Sequence, residues 1–189
     1  SYSKNNKFGK GEWMVVEADE SDGSFLRLPH QINIITNIDL EHLDYYKTKK
    51  KLLLAFENFI NNLPFYGYSI ICIDNLNLKY LSKKIKTRRI ITYSQNQDSD
   101  IKIRILKKTN TKTNFKLFFK KGAVKGFEGN YLFESNLLGE HNILNATGAI
   151  ISSLISNVPI YNIQRSLKKF QGVKRRFTFL GKIKGASIY

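Results

Sequence analysis

Over the first hundred residues, short continuous apolar runs alternate with stretches of helical spacing. Residues 13–16 and 32–36 are the kind of run that forms a strand buried on both faces. Residues 49–61 place Leu52, Leu53, Phe56 and Ile60 on one helical face, and a turn holding Pro64 and Gly67 ends that helix. A strand at 68–73, a helix at 76–85 and a strand at 89–93 follow. Such βα repetition predicts a parallel sheet flanked by helices.

Beyond Asp100 the period changes. Residues 101–105 alternate apolar and charged side chains, 114–118 do so again after a polar turn at 109–113, and 131–133 supply a third strand. These are half-exposed antiparallel strands. Helical spacing returns at 142–156 and 160–170, and 177–189 read as strands around Gly181 and Gly185. The expected fold is therefore α/β: a mostly parallel sheet with flanking helices and a small antiparallel three-stranded subsheet.

Composition narrows the class. The chain has 189 residues, 42% of them hydrophobic and 13% aromatic, enough for one good core and too apolar for a mainly disordered chain. No apolar stretch reaches the roughly 18 residues that crossing a bilayer needs, and the start carries no signal-peptide core, which points to the cytoplasm. The single cysteine, Cys72, lies in an apolar run and is expected in the core. A net charge of +16 attracts nucleic acid and phosphorylated metabolites alike. The lysines are spread over several elements with no groove-entering helix or stacking strand, so a nucleic-acid reader is the second choice.

Four groups of polar residues invite a chemical reading. Glu17 follows the run 13–16 and so stands at the carboxyl end of an expected strand, where open α/β sheets bind ligands. His42 stands beyond the next strand, and together the two side chains can share a divalent ion that keeps waters or phosphate oxygens. The alternatives are an acidic loop facing solvent and a structural histidine. Asn142 and Asn145, three apart with His141 just ahead, offer carboxamides suited to an adenine or ribose edge, or simply a helix cap. Arg175 and Arg176 suit a phosphate clamp or a solvated basic turn.

The motifs Glu-Ala-Asp-Glu-Ser-Asp-Gly-Ser-Phe from Glu17, Thr-Asn-Ile-Asp-Leu-Glu-His-Leu-Asp-Tyr-Tyr from Thr36, Asn-Asn-Leu-Pro-Phe-Tyr-Gly from Asn61, Gly-Glu-His-Asn-Ile-Leu-Asn from Gly139 and Phe-Gln-Gly-Val-Lys-Arg-Arg-Phe from Phe170 occur in this order. Their sequence and order closely resemble the Mur ligase family, in its alanine-adding branch. The resemblance implies an ATP-dependent acid:amino-acid ligase of peptidoglycan precursor synthesis, with UDP-N-acetylmuramate, L-alanine and ATP as substrates. It assigns Glu17 and His42 to Mg²⁺, His141, Asn142 and Asn145 to the adenine nucleoside, and Arg176 to the γ-phosphate. It places residues 1–174 in the central ATP-binding domain, without its phosphate-loop part, and 175–189 at the start of the C-terminal domain; such a piece is expected to be inactive alone. Several members hold a second magnesium through a carbon-dioxide-modified lysine, and Lys47, Lys49, Lys50 and Lys51 lie nearby without matching its register. Another Mur-type amide ligase and a basic nucleic-acid-binding domain are the alternative readings.

Overall fold

The computed structural model describes residues 9–86, 88–172, 181–183 and 186–188. Six strands form one sheet in chain order: β1 (Ile32–Ile35), β2 (Tyr68–Cys72), β3 (Arg89–Ser94), β4 (Ile101–Lys108), β5 (Thr113–Val124) and β6 (Phe127–Ser135). β1 to β4 pair in parallel, and β4 to β6 antiparallel. The helices are α1 (Leu43–Tyr46), α2 (Lys49–Asn61), α3 (Leu76–Lys84), α4 (Glu140–Ile155) and α5 (Ile160–Lys169). Two three-residue strands, β7 (Gly181–Ile183) and β8 (Ala186–Ile188), form a separate antiparallel pair in the tail expected to be extended.

Each crossover is the expected one. Thr48 caps α2 by accepting from the Lys51 amide, and Asn75 caps α3 by accepting from the Leu78 amide. α2 buries Leu52, Phe56, Phe59 and Ile60, while Leu54 is half in water. Cys72 lies on β2 at 1% exposure, and burial pushes its thiol pKa up, so it packs as a small apolar group.

β4 breaks the βα rhythm in an instructive way. It follows β3 after only a short loop, yet runs parallel to it, because the two pair only at Tyr93 with Ile101 and Ser94 with Lys102. A full parallel overlap would need a long return connection. With so slight an overlap, β4 instead runs on past the carboxyl end of β3 and carries the hairpin β5–β6 with it. The subsheet is thus continuous with the main sheet and forms a wall beyond its carboxyl edge. Its strands are longer than the alternation indicated, since β5 and β6 extend to a tight turn at Lys125 and Gly126, whose φ of 82° suits glycine. α5 lies along the outer edge of β6, with Gln164 donating to the Leu132 carbonyl at 2.8 Å.

The expected strand at 13–16 does not form. That segment is coil, with Trp13 52% and Val15 96% exposed. Its composition suits a strand buried on both faces, but such a strand exists only when paired and covered, and the described sheet begins at β1. Glu17 consequently follows an extended loop and not a strand end.

α4 crosses the sheet where Gly148 meets it. A Cβ at Gly148 would lie 2.7 Å from Ile34 Cγ2 and 3.2 Å from the Tyr93 hydroxyl. Gly148→Ala should therefore destabilise the chain by about 1–3 kcal/mol through overpacking, although alanine is the better helix former by about 1 kcal/mol. Urea unfolding should show a lower midpoint at an unchanged slope.

Candidate active site at the carboxyl edge

Parallel pairing brings the ends of β1, β2 and β3 to one edge. His42 lies seven residues past Ile35, the last residue of β1, and caps α1 with φ 56° and ψ 30°. A left-handed backbone is uncommon for any residue but glycine, although histidine is among those that enter it more often. Lys47, at the other end of α1, also has positive φ, at 64°. This short helix is thus bracketed by two unusual backbone turns, and strain of that kind concentrates at functional sites.

The acidic run docks on α1. Tyr46, 5% exposed, donates its hydroxyl to the Glu20 carbonyl at 2.5 Å. Gly23, with φ 72°, fits over the neighbouring Tyr45, whose hydroxyl would be 2.6 Å from any Cβ there. Phe25 then anchors the run, its ring 4.9 Å from Phe59 and 5.3 Å from Phe56. Within the run, Asp19 accepts from the Ser21 amide at 2.8 Å and Asp22 from the Ser24 amide at 2.9 Å. Hydrogen bonds from Ser21 hold the Asp19 pKa low, and those from Ser24 do the same for Asp22, so both remain carboxylates near neutrality.

This docking places Glu20 Oε1 4.0 Å from His42 Nε2, with both side chains about 40% exposed. Among the described residues no group of three or more His, Cys, Asp or Glu side chains is gathered for a metal. A carboxylate open to solvent is the hard oxygen donor that suits Mg²⁺, which keeps several waters or phosphate oxygens, while the imidazole of His42 is a softer, additional donor. Glu17 lies three residues upstream of Glu20, exposed and on the same docked run. Sequence reasoning singled out Glu17 and passed over Glu20, although both belong to one acidic cluster. The Tyr45–Tyr46 pair, at helical spacing after His42, was the available signal that something docks there.

The second group reaches the same edge from the other side of the sheet. α4 begins next to the wall: Glu140 accepts from Lys108 Nζ, at the end of β4, at 2.5 Å, and Lys108 keeps the Glu140 pKa low. His141 lies inside the first turn and not ahead of it, because Gly139 is the N-cap, with φ 92°. A Cβ at Gly139 would lie 2.9 Å from the His141 ring. Asn142 Nδ2 donates to the Leu138 carbonyl at 2.7 Å, which spends one amide hydrogen on local structure. His141 and Asn145 are exposed, one helical turn apart. Arg175, Arg176 and the proposed boundary at 174/175 lie outside the described residues.

The Mur ligase middle-domain family matches residues 5–153. The chain belongs to the Mur ligase family. This Mur ligase chain is 43% identical, over its full 189 residues, to a UDP-N-acetylmuramate–L-alanine ligase of Azorhizobium caulinodans, of which it covers 40%. It spans about 40% of the length of the curated relatives it matches. Among solved structures, a UDP-N-acetylmuramate-alanine ligase from Thermotoga maritima aligns over 88% of this chain and 35% of its own, at TM-score 0.72 and 18% identity. A MurF ligase from Thermotoga maritima in complex with ADP aligns over 82% of this chain and 34% of its own, at TM-score 0.62 and 14% identity. These likenesses confirm the α/β architecture of the Mur ligase chain, including its antiparallel subsheet. No helix among its described residues is long and apolar enough to cross a membrane. Part of its lysine excess is paired, as in Lys84 with Glu57 at 2.6 Å and Lys120 with Asp98 at 2.7 Å.

Burial pushes the Tyr46 pKa up to about 12. A folded-state value above the unfolded one, near 10, means that the stabilisation is complete below pH 10 and is lost as pH rises through about 12. Burial also pushes the Tyr93 phenol well up, so ultraviolet titration should find more than one late phenol, and Tyr46→Phe should remove one of them while Tyr93 stays late. The same variant should lose about 1 kcal/mol of stability with its hydrogen bond to Glu20.

Proposed function

We propose that the chain is the nucleotide-binding part of a cytoplasmic ATP-dependent ligase that joins L-alanine to UDP-N-acetylmuramate in peptidoglycan precursor synthesis. The observation that carries this reading is the 43% identity along the whole chain to a relative bearing that name. In support, His42 follows β1 past the carboxyl end of the parallel strands, and α4, which carries His141 and Asn145, begins beside Lys108 at the end of β4. Residues 1–174 belong to the middle domain in this reading, and 175–189 open the next.

The muramate carboxylate attacks the γ-phosphorus of ATP and releases ADP. The amine of L-alanine then attacks the acyl phosphate, and phosphate leaves. Glu17 and His42 would hold Mg²⁺, with Glu20 beside His42, and a bound ion would offset charge on the transferring phosphoryl group. His141, Asn145 and the Oδ1 of Asn142 face the adenine nucleoside. Arg176 meets the γ-phosphate, where a guanidinium fork matches the phosphoryl oxygens. Positioning and electrostatics suffice for this chemistry, so no nucleophilic side chain is needed and buried Cys72 has no part in it.

Phosphate release by the full-length protein, with ATP, Mg²⁺ and UDP-N-acetylmuramate across a panel of amino acids, tests the proposal. Release should require L-alanine and fall about 100-fold or more in Glu17→Ala and His42→Ala. Turnover with a different acceptor would keep the ligase and change its substrate. A folded full-length protein without turnover on any acceptor would overturn the reading.

A further inference from the structure

One dipeptide ties three strand ends together. Asp74, just past β2, binds the loop after β3: its Oδ1 accepts from the Ser94 hydroxyl at 2.6 Å and the Asn96 amide at 2.9 Å, and its Oδ2 from the Gln95 amide at 2.7 Å. Asn75 works in the opposite direction. Its Nδ2 donates to Asn37 Oδ1 and to the Ile38 carbonyl, the latter at 3.3 Å, while its Oδ1 accepts from the Leu78 amide at 3.0 Å. Asn77 Nδ2 adds a bond to the same Ile38 carbonyl at 3.0 Å, and Asn37 passes the restraint to Asp39 at 2.5 Å.

The bend Asn37–Asp39 thus hangs on the first turn of α3. Ile38 is buried, whereas Asp39, Leu40 and Glu41, which lead to His42, are exposed. The left-handed turn at His42 therefore starts from a segment whose described side-chain restraints come from Asn75, Asn77 and Asn37 itself. Only a carboxamide can both accept from a helix N–H and donate twice. Serine or aspartate would cap α3 as well, without holding the bend.

We propose that Asn75 is a positioning residue for the metal-nucleotide site: its carboxamide fixes the Asn37–Asp39 bend and, through it, the place of His42. This rests on the reading of His42 as a metal ligand. The role is separable from helix capping, because Asn75→Asp keeps the acceptor for Leu78 and removes both donors.

Mn²⁺ binding to the full-length protein, followed by the loss of the free-ion paramagnetic resonance signal with a non-hydrolysable ATP analogue present, reads the site without turnover. Asn75→Asp should melt within a few degrees of the parent and bind Mn²⁺ about tenfold more weakly, the lower end of what losing a supporting partner costs a metal site. Asn77→Ala, which touches neither the cap nor Asn37, should show a smaller loss in the same direction and serves if Asn75→Asp does not fold. Asp74→Ala, which releases only the loop after β3, should lower the melting temperature and leave Mn²⁺ affinity within about twofold. In a His42→Ala background, Asn75→Asp should add nothing, since both act on one ligand.

Parental affinity in both Asn75→Asp and Asn77→Ala would overturn the proposal. So would an equal loss in Asp74→Ala, or a full additional loss on top of His42→Ala. If His42→Ala itself binds Mn²⁺ like the parent, the metal reading of His42 fails, and the positioning role falls with it by a separate observation.

Discussion

The constraint on which everything else rests is the parallel pairing of β1, β2 and β3. A parallel ladder aligns peptide directions, so each strand must end at the same edge and each return must pass over a face of the sheet. α2 and α3 make two of those returns. The backbone has no freedom left in where it delivers residues 36–42, 74–77 and 94–97, and all three groups meet at one rim. β4 uses the same constraint differently. By overlapping β3 for two residues only, it projects the antiparallel hairpin beyond the rim, and Lys108 at its tip then meets the start of α4.

Much of this was legible in the residues. Strands β1 to β3 and helices α2, α3, α4 and α5 were found to within two residues, because each pairs a strong apolar period with a turn or cap at its ends. The subsheet was legible as alternation, but its length was not, since Lys120, Lys121 and Gly122 interrupt the alternation and the register shifts between Phe119 and Val124, although Val124 is buried and Phe127 packs against the core. Residues 13–16 failed for the opposite reason. Their apolar run is a statement about the surroundings a segment needs, and a sequence window does not say whether those surroundings are supplied.

The candidate site divides along the same line. His42, His141, Asn142 and Asn145 stood out because their residue types and spacing are unusual next to an expected strand or helix end. Glu20 and Tyr46 did not, because their significance lies in a contact between segments 26 residues apart. Asn75 was invisible in a similar way. A single asparagine ahead of a helix reads as a cap, and it is one here, but its two donated bonds reach back to Asn37 and Ile38 across nearly 40 residues.

The two margins of the sheet are unlike. At β6 the helix α5 lies along the backbone, and Gln164 occupies the Leu132 carbonyl, as a blocked edge should be. At β1 the described residues present no such cover over a four-residue strand. Growth of the sheet is therefore one-directional. A strand paired at that margin would lie directly beside the strand that leads to His42.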